Sequence, residues 1–530
     1  MQSPKSIIFS LFSTVLISSV SFANSASLEE NFLQCLFEQN QYFNTISEAI
    51  YTPNNASFSS VLQSYIRNLR FATPATQKPI VIIAAKDEFH VQATVLCSKK
   101  LGLQIRIRSG GHDYDGLSYV SSVPFVILDM YNLRSIKINM TDESAWVQAG
   151  ATVGEVYYRI AKASKVHGFP AGICPTLGVG GHFSGGGYGN MMRKYGLSGD
   201  NIVDAEIVTV GGGILDRKSM GEDLFWAIRG GGAASFGVVL SWKIKLVSVP
   251  ENVTVFRVEK TLEQGATELV WRWQQVADKL DEDLFIRLII NVVNGSKGSE
   301  KTTKVSFIAM FLGQTERLLS LMNASFPELG LQQKDCLQMR WIESALFWFD
   351  FPSGTPVEVL LNRIPKSQVY LKRKSDYVKE PIPKTGLESI WKLMIELGDV
   401  GMQWNPYGGR MSEIPEAETP FPHRAGNIFK IQYSTNWKKA GIEVTNHYIN
   451  LTRTLYEAMT PYVSKNPREA FLNYRDIDIG SSSTNGTYEE GKIYGIKYFK
   501  NNFDRLVRVK TVVDPDNFFR YEQSIPVRPS

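Results

Sequence analysis

Between Pro79 and Val249 short apolar runs recur with alternating or continuous patterning, PIVIIA, QIRIR, FVILDM, SAWVQAG, IVDAEIVTV and FGVVLSWKIKLV, separated by glycine turns. Runs of β-branched and aromatic residues at this length predict strands. TVGEVYYRIAKAS repeats its apolar positions at helical spacing instead. VLCSKKLGLQI, just ahead of RIRSGGHDYDG, also reads as alternating. Long regular βαβ crossovers are missing, so this half reads as α+β, small sheets packed on helices.

The pattern lengthens around Pro250. GATELVWRWQQVADKL, QTERLLSLMNASF and GLESIWKLMIEL predict amphipathic helices between the strands DLFIRLIINVV, TKVSFIAMFLG and NIFKIQYSTNW, an antiparallel sheet covered on one face by helices. In the last strand Phe429, Ile431 and Tyr433 share one face and Lys430 and Gln432 the other. That second face could meet solvent or a site. From about Asn466, FLNYRDIDIG and RLVRVKTVVDPDNFFRYEQSIP form a third segment expected to dock on the existing body.

A chain of 530 residues is too long for one core, and two domains are expected. The balance of 57 basic and 52 acidic residues, scattered along the chain, gives a formal charge of +5, too little to point to nucleic acid. Residues 1–26, MQSPKSIIFSLFSTVLISSVSFANSA, read as a secretory leader rather than an anchor, and no other segment is long enough to span a membrane. The sequons at Asn55, Asn139, Asn252, Asn294, Asn323, Asn450 and Asn485 agree with export. An oxidising route favours a bridge between Cys35 and Cys97, tying an N-terminal helix to the KPIVIIAA region. Cys336 is then a buried free thiol, and a second bridge, Cys174 to Cys336, is the alternative on parity.

The densest signal is Ala171–Ala205, AGICPTLGVGGHFSGGGYGNMMRKYGLSGDNIVDA, with ten glycines. None of its runs is a G-x-G-x-x-G opening a helix after a strand, and there is no Walker pattern, which disfavours a nicotinamide or nucleotide P-loop site. What remains is backbone closing on a large flat, phosphate-bearing ligand. His112 and Cys174, 62 positions apart, each sit inside a glycine turn. Taken alone, Gly-Gly-His is a hairpin turn with an exposed histidine. Taken together, an imidazole nitrogen can add to the 8α-methyl carbon of an isoalloxazine and a thiolate to its C6 carbon, so a doubly attached flavin is expected if the turns face each other.

RSGGHDYDG, GICPTLGVGGHFSGGGYG, DLFWAIRGGG, NYRDIDIG and DPDNFFRYEQSIP together resemble the plant berberine bridge enzyme-like flavoproteins of the vanillyl-alcohol oxidase superfamily, from about Asn31 to Pro526. The resemblance implies a bipartite PCMH-type FAD domain over 27–249, a substrate domain over 250–465 and a C-terminal segment, 466–530, returning to the FAD domain. It also implies the Cys35–Cys97 disulfide, FAD held through His112 and Cys174, and cofactor contacts from Arg108, Ser109, Gly110, Gly111, Thr176, Gly178, Gly181, Ser184 and Gly187. No metal-ligand set is read.

Oxidising an alcohol needs a hydride acceptor and a base for the hydroxyl proton. Alcohol-oxidising relatives line their site at the positions of Tyr114, Tyr188, Lys430, Gln432 and Tyr474. The expected base is Tyr188, tuned by Lys430, with Tyr114 and Tyr474 orienting the alcohol. Arg287 faces either substrate or solvent. Ring-closing relatives use a carboxylate near Gln432, and cannabinoid-forming relatives lack the counterparts of Tyr114, Lys430 and Gln432, which demotes oxidative cyclisation. Leu177 matches an oxygen-gate position in the family, and its bulk predicts slow reaction with O2 and another electron acceptor. The expected substrate is a primary allylic aromatic alcohol of the monolignol type. The rival is a cell-wall oligosaccharide, stacking on Trp404 and Tyr407. A monomer is expected in the secretory route, the cell wall first and the vacuole second.

Overall fold

The computed structural model describes residues 27–39, 46–295, 298, 300–364, 368–483 and 486–529; the expected leader at 1–26 and the sequon at Asn485 lie outside them. The first sheet contains β1 (Ile50–Tyr51), β2 (Val81–Ala84), β3 (Gln104–Arg108) and β4 (Phe125–Asp129) in the order β1-β2-β4-β3. β2 and β3 both run parallel to β4, so the helix Glu88–Leu101 is a crossover and a βαβ unit is present after all. Helix prevails over the alternating reading of VLCSKKLGLQI because both its ends are specified. Asp87 accepts from the His90 N–H, and Gly102 closes the helix at φ +66°.

Cys35 and Cys97 form a disulfide. It joins the helix Leu28–Glu38 to the crossover helix, one element away from the predicted PIVIIA strand. Cys174 and Cys336 are free, so the second bridge is not made. Cys336 is half-buried at the start of an edge strand, not enclosed as expected.

The second sheet takes β5 (Ile136–Asn139), β6 (Ser144–Gln148), β8 (Ile202–Val208), β9 (Ile214–Leu215) and β10 (Val238–Lys245), while β7 (His167–Gly168) and β11 (Val247–Ser248) form a ladder of their own. The third holds β12 (Asn252–Thr261), β13 (Leu284–Asn294), β14 (Lys301–Phe311), β15 (Cys336–Arg340), β16 (Tyr370–Val378), β17 (Gly401–Pro406) and β18 (Phe429–Trp437). Their order is β15-β12-β14-β13-β17-β18-β16, and neighbouring strands are antiparallel.

Period-two alternation decides what each face of this large sheet meets. Ile286, Leu288, Phe429 and Ile431 pack under Trp273 and Trp391 of the helices Ala266–Val276 and Lys384–Leu397. Phe285, Ile308, Met310 and Tyr377 point the opposite way, into the core shared with the first two sheets. Lys430 and Gln432 therefore lie between two bodies, 0% and 5% exposed, and their solvent-facing reading is overturned. Arg193 locks the bodies together, its buried guanidinium donating to the carbonyls of Ala277, Leu280, Leu284 and Tyr407.

The C-terminal helices Tyr488–Phe499 and Phe503–Val513 bring Tyr494, Tyr498 and Leu506 into the core of the first two sheets. Asn55, Asn139, Asn252, Asn294, Asn323 and Asn450 are all exposed. Replacing Cys35 and Cys97 by serine should lower unfolding stability by about 2–4 kcal/mol, read from denaturant midpoints of the oxidised protein and the double variant.

Candidate active site

Two glycine turns meet back to back at the centre of the molecule. A Cβ on Gly110 would lie 2.3 Å from the Gly178 nitrogen, and one on Gly178 would lie 2.2 Å from the Gly110 nitrogen. Gly111 sits at φ +65°, where a Cβ would reach 2.0 Å from the Tyr65 carbonyl oxygen. No side chain fits at these positions, which is why the two turns are written in glycine.

Their contact brings together the histidine and cysteine singled out in the sequence. Thr176 Oγ1 lies 2.9 Å from His112 Nε2 and 3.5 Å from Cys174 Sγ. Burial, with Arg67 adding to it, pushes His112 down to about 3, leaving a neutral imidazole. Burial raises the Cys174 thiol, and Thr176 opposes that.

Beside this junction runs a cavity with about 1280 Å³ of atom-free space, its open mouth included. Ser109, Gly110, Gly111, His112, Leu177, Gly178, Gly181 and Ser184 line it. Thr176, Cys174 and Gly187 are not on its wall; Cys174 is half-buried beside Thr176, and the Gly187 N–H donates at 2.9 Å to Oδ1 of Asn473, which does line it. Arg108 is a correction: its guanidinium is spent on Asp129, at 2.7 Å, and on the carbonyls of Val61 and Leu62, so it anchors the turn without facing the cavity.

FAD suits this cavity on three observations. Arg106 lines it with only 2% of its side chain exposed, and while Nη2 pairs with Glu522 at 2.9 Å, Nε and Nη1 have no partner among the described residues. Gly181 has nothing within 4 Å of its would-be Cβ, so a ligand can lie directly on that backbone. Ile105, Ile107 and Met130 give an apolar flank for a ring system. Ser109, Gly110, Gly178 and Gly181 would then hold the cofactor, with Arg106 supplying charge.

A cluster of phenols lies against the inner face of the large sheet. Tyr188 and Tyr474 share a very short hydroxyl hydrogen bond. Gln432 Nε2 donates to Tyr114 Oη at 2.8 Å, and the Tyr114 and Tyr474 rings are 5.8 Å apart. Lys430 Nζ has no hydrogen-bond partner among the described residues and sits 3.3, 3.6 and 4.6 Å from the ring centroids of Tyr188, Phe471 and Tyr474. Burial, reinforced by Arg287, pushes Lys430 well below its ordinary value, while the three ring faces favour its ammonium form. Burial raises Tyr114 to about 12 and Tyr474 well above 10, so both remain phenols.

Arg287 is 3% exposed, and its Nε donates to Asn405 Oδ1 at 2.6 Å. Its solvent-facing alternative falls. Trp404 and Tyr407 are fully buried, Trp404 packed among Trp273, Trp391 and Phe429, so neither can present a face to a sugar. Sequence reasoning missed Phe471, Asn473 and Arg106. Arg106 gave no clear local signal, since its strand-face neighbour Arg108 turns to Asp129 instead. Phe471 carried no local signal.

These features define a flavin-dependent oxidoreductase. A sequence profile described as an FAD binding domain matches residues 79–217, and one described as berberine and berberine like matches 470–526. Berberine bridge enzyme-like 14 of Arabidopsis thaliana is 60% identical over 532 residues, 99% of each chain. The solved structure of BBE-like #28 from the same plant superposes with a TM-score of 0.88 at 47% identity, covering 94% of this chain and all of that one. Phl p 4, a grass pollen allergen with glucose dehydrogenase activity, superposes at 0.88 and 42% identity, over the same share of each chain. The chain belongs to the berberine bridge enzyme-like family of FAD oxidoreductases.

Gly181→Leu should fold yet lose its flavin, because a Cβ there meets nothing within 4 Å among the described residues and the side chain beyond it occupies the cavity. Visible absorbance of the purified variant against its protein concentration checks this; full flavin content would show that the cofactor lies elsewhere.

Proposed function

We propose that this protein removes a hydride from a primary allylic aromatic alcohol to give an aldehyde, using FAD attached through His112 at the 8α carbon and Cys174 at C6. The observation that carries the reading is the placement of Lys430 against the Tyr188 ring, inside a cluster completed by Tyr114, Gln432 and Tyr474. FAD, when bound, supplies the two-electron acceptor.

The chain's own residues do the rest. Tyr188 acts as base from its phenolate form, which a positive charge on the adjacent Lys430 would favour, and it becomes a neutral phenol on taking the hydroxyl proton. Tyr474 and Tyr114 stay protonated and donate hydrogen bonds that orient the alcohol. Gln432 cannot act as a base, so it fixes the Tyr114 hydroxyl. Leu177, on the cavity wall, shields the ring from O2 and leaves an organic acceptor to collect the electrons. Phl p 4 supports a gate of this kind: its wild type is a glucose dehydrogenase and an isoleucine-to-valine variant is a glucose oxidase.

The same relative favours a second reading, oxidation of a carbohydrate hydroxyl, although burial of Trp404 and Tyr407 removes the stacking platform expected for it. Export through the secretory route, to the cell wall or the vacuole, is supported by the disulfide and the exposed sequon asparagines. We read the protein as a monomer with no nucleic-acid partner.

Anaerobic mixing with coniferyl alcohol should bleach the visible flavin band, and re-admitted air should restore it slowly. Bleaching by glucose or a cello-oligosaccharide alone would replace the alcohol reading. Tyr188→Phe should slow bleaching by about 10²–10⁴-fold, and Leu177→Val should speed recovery in air without changing the bleaching step. Denaturing the protein should leave the flavin on the chain, with His112→Ala and Cys174→Ala each removing one of two bonds by peptide mass.

A further inference from the structure

Behind the phenols lies a buried set of charges that the proposed chemistry does not use. Lys372 Nζ is 2.7 Å from Asp476, 3.4 Å from Asp478 and 3.5 Å from Asp115. Lys374 Nζ is 2.5 Å from Asp476 and 3.3 Å from Asp478. The side chains of Asp115, Asp476, Lys372 and Lys374 are at most 3% exposed. Arg70, 3.4 Å from Asp115, and Arg453, 2.7 Å from Asp478, close the cluster at its rim.

The charges come from three segments, each of which also carries a wall of the site. Asp115 follows Tyr114 on the turn after β3. Asp476 and Asp478 follow Tyr474. Lys372 and Lys374 lie on β16, where Ser375 pairs with Gln432 and Tyr377 with Lys430 on β18. Two clamps flank the facing tyrosines. On one side Arg475 Nε meets Asp113 Oδ2 at 2.9 Å; on the other the Ile477 N–H donates to Asp115 Oδ2 at 2.9 Å. Asn68 Nδ2 donates to the carbonyls of Tyr114 and Leu371, fastening the same turn to β16.

We infer that Asp115 is a positioning residue, holding Tyr114 at its distance from Tyr474 and Gln432 by accepting the Ile477 N–H and pairing with Lys372. An apolar contact at this junction could slide, whereas a carboxylate with one directed backbone donor and one buried cation has a single satisfied geometry. The inference rests on the reading of Tyr114 and Tyr474 as the groups that orient the alcohol.

The test compares full-length, flavin-loaded Asp115→Ala and Asp115→Asn with the natural protein, by crystal structure and by anaerobic bleaching against coniferyl alcohol concentration. Asparagine still offers an oxygen to the Ile477 N–H and should stay within about twofold of the natural protein, while alanine should raise the half-saturating concentration about tenfold with a smaller fall in limiting rate. In the alanine crystal Tyr114 should leave Gln432. A melting temperature that drops while tyrosine positions and bleaching constants stay natural would overturn the inference, reducing Asp115 to a structural bolt. Should the alanine variant fail to load flavin, Asp115→Ser, too short to reach Ile477, takes its place with the same outcomes. Should coniferyl alcohol not bleach even the natural protein, the alcohol reading fails, and the position of Tyr114 in the crystal alone decides this inference.

Discussion

The Gly110–Gly178 contact is the constraint on which the rest depends. Two backbone turns from distant parts of the chain touch with no room for a single methyl group between them. Everything useful about the cavity follows from that closeness. His112 and Cys174 are brought to one threonine hydroxyl, the wall opposite becomes bare backbone, and the apolar flank of β3 is left facing the gap. A larger residue at either glycine would separate the turns and with them the two nucleophilic side chains.

Around that contact the protein is assembled from bodies that share walls. The large sheet buries one face under its helices and offers the other to the first two sheets, so the alternation of β18 alone delivers Lys430 and Gln432 to the interior. The C-terminal segment completes the site, contributing Phe471 and Tyr474 beside Lys430 and pinning the glycine-rich loop through Asn473, whose amide bonds both the Gly187 N–H and the Gly181 carbonyl. Arg193 and the Asp115–Lys372–Asp476 cluster add charged contacts to the apolar core that these bodies share.

Among the described residues, the phenol cluster carries no acid. Arg287 and Lys430 are both buried near Tyr188, and Lys430 Nζ faces aromatic rings, not carboxylates. A cluster of phenols and basic side chains without a carboxylate suits the alcohol oxidation proposed above better than chemistry needing a carboxylate at Gln432.

The sequence by itself determined most of the strands and helices, the alternation that sends Lys430 and Gln432 to one face, and the glycine density that marks the cofactor turns, because these are set by neighbours along the chain. Its alternation misleads at VLCSKKL, whose helix the caps at Asp87 and Gly102 specify. It also supplied the motifs by which the family is legible. Only the tertiary structure decided that both faces of β18 are covered, that Arg108 is an anchor, and that Trp404 and Tyr407 are sealed inside. It also decided that Phe471 and Asp115 belong with the site. Those outcomes rest on contacts between residues far apart in the chain, and no local period or propensity encodes which distant surface a side chain will meet.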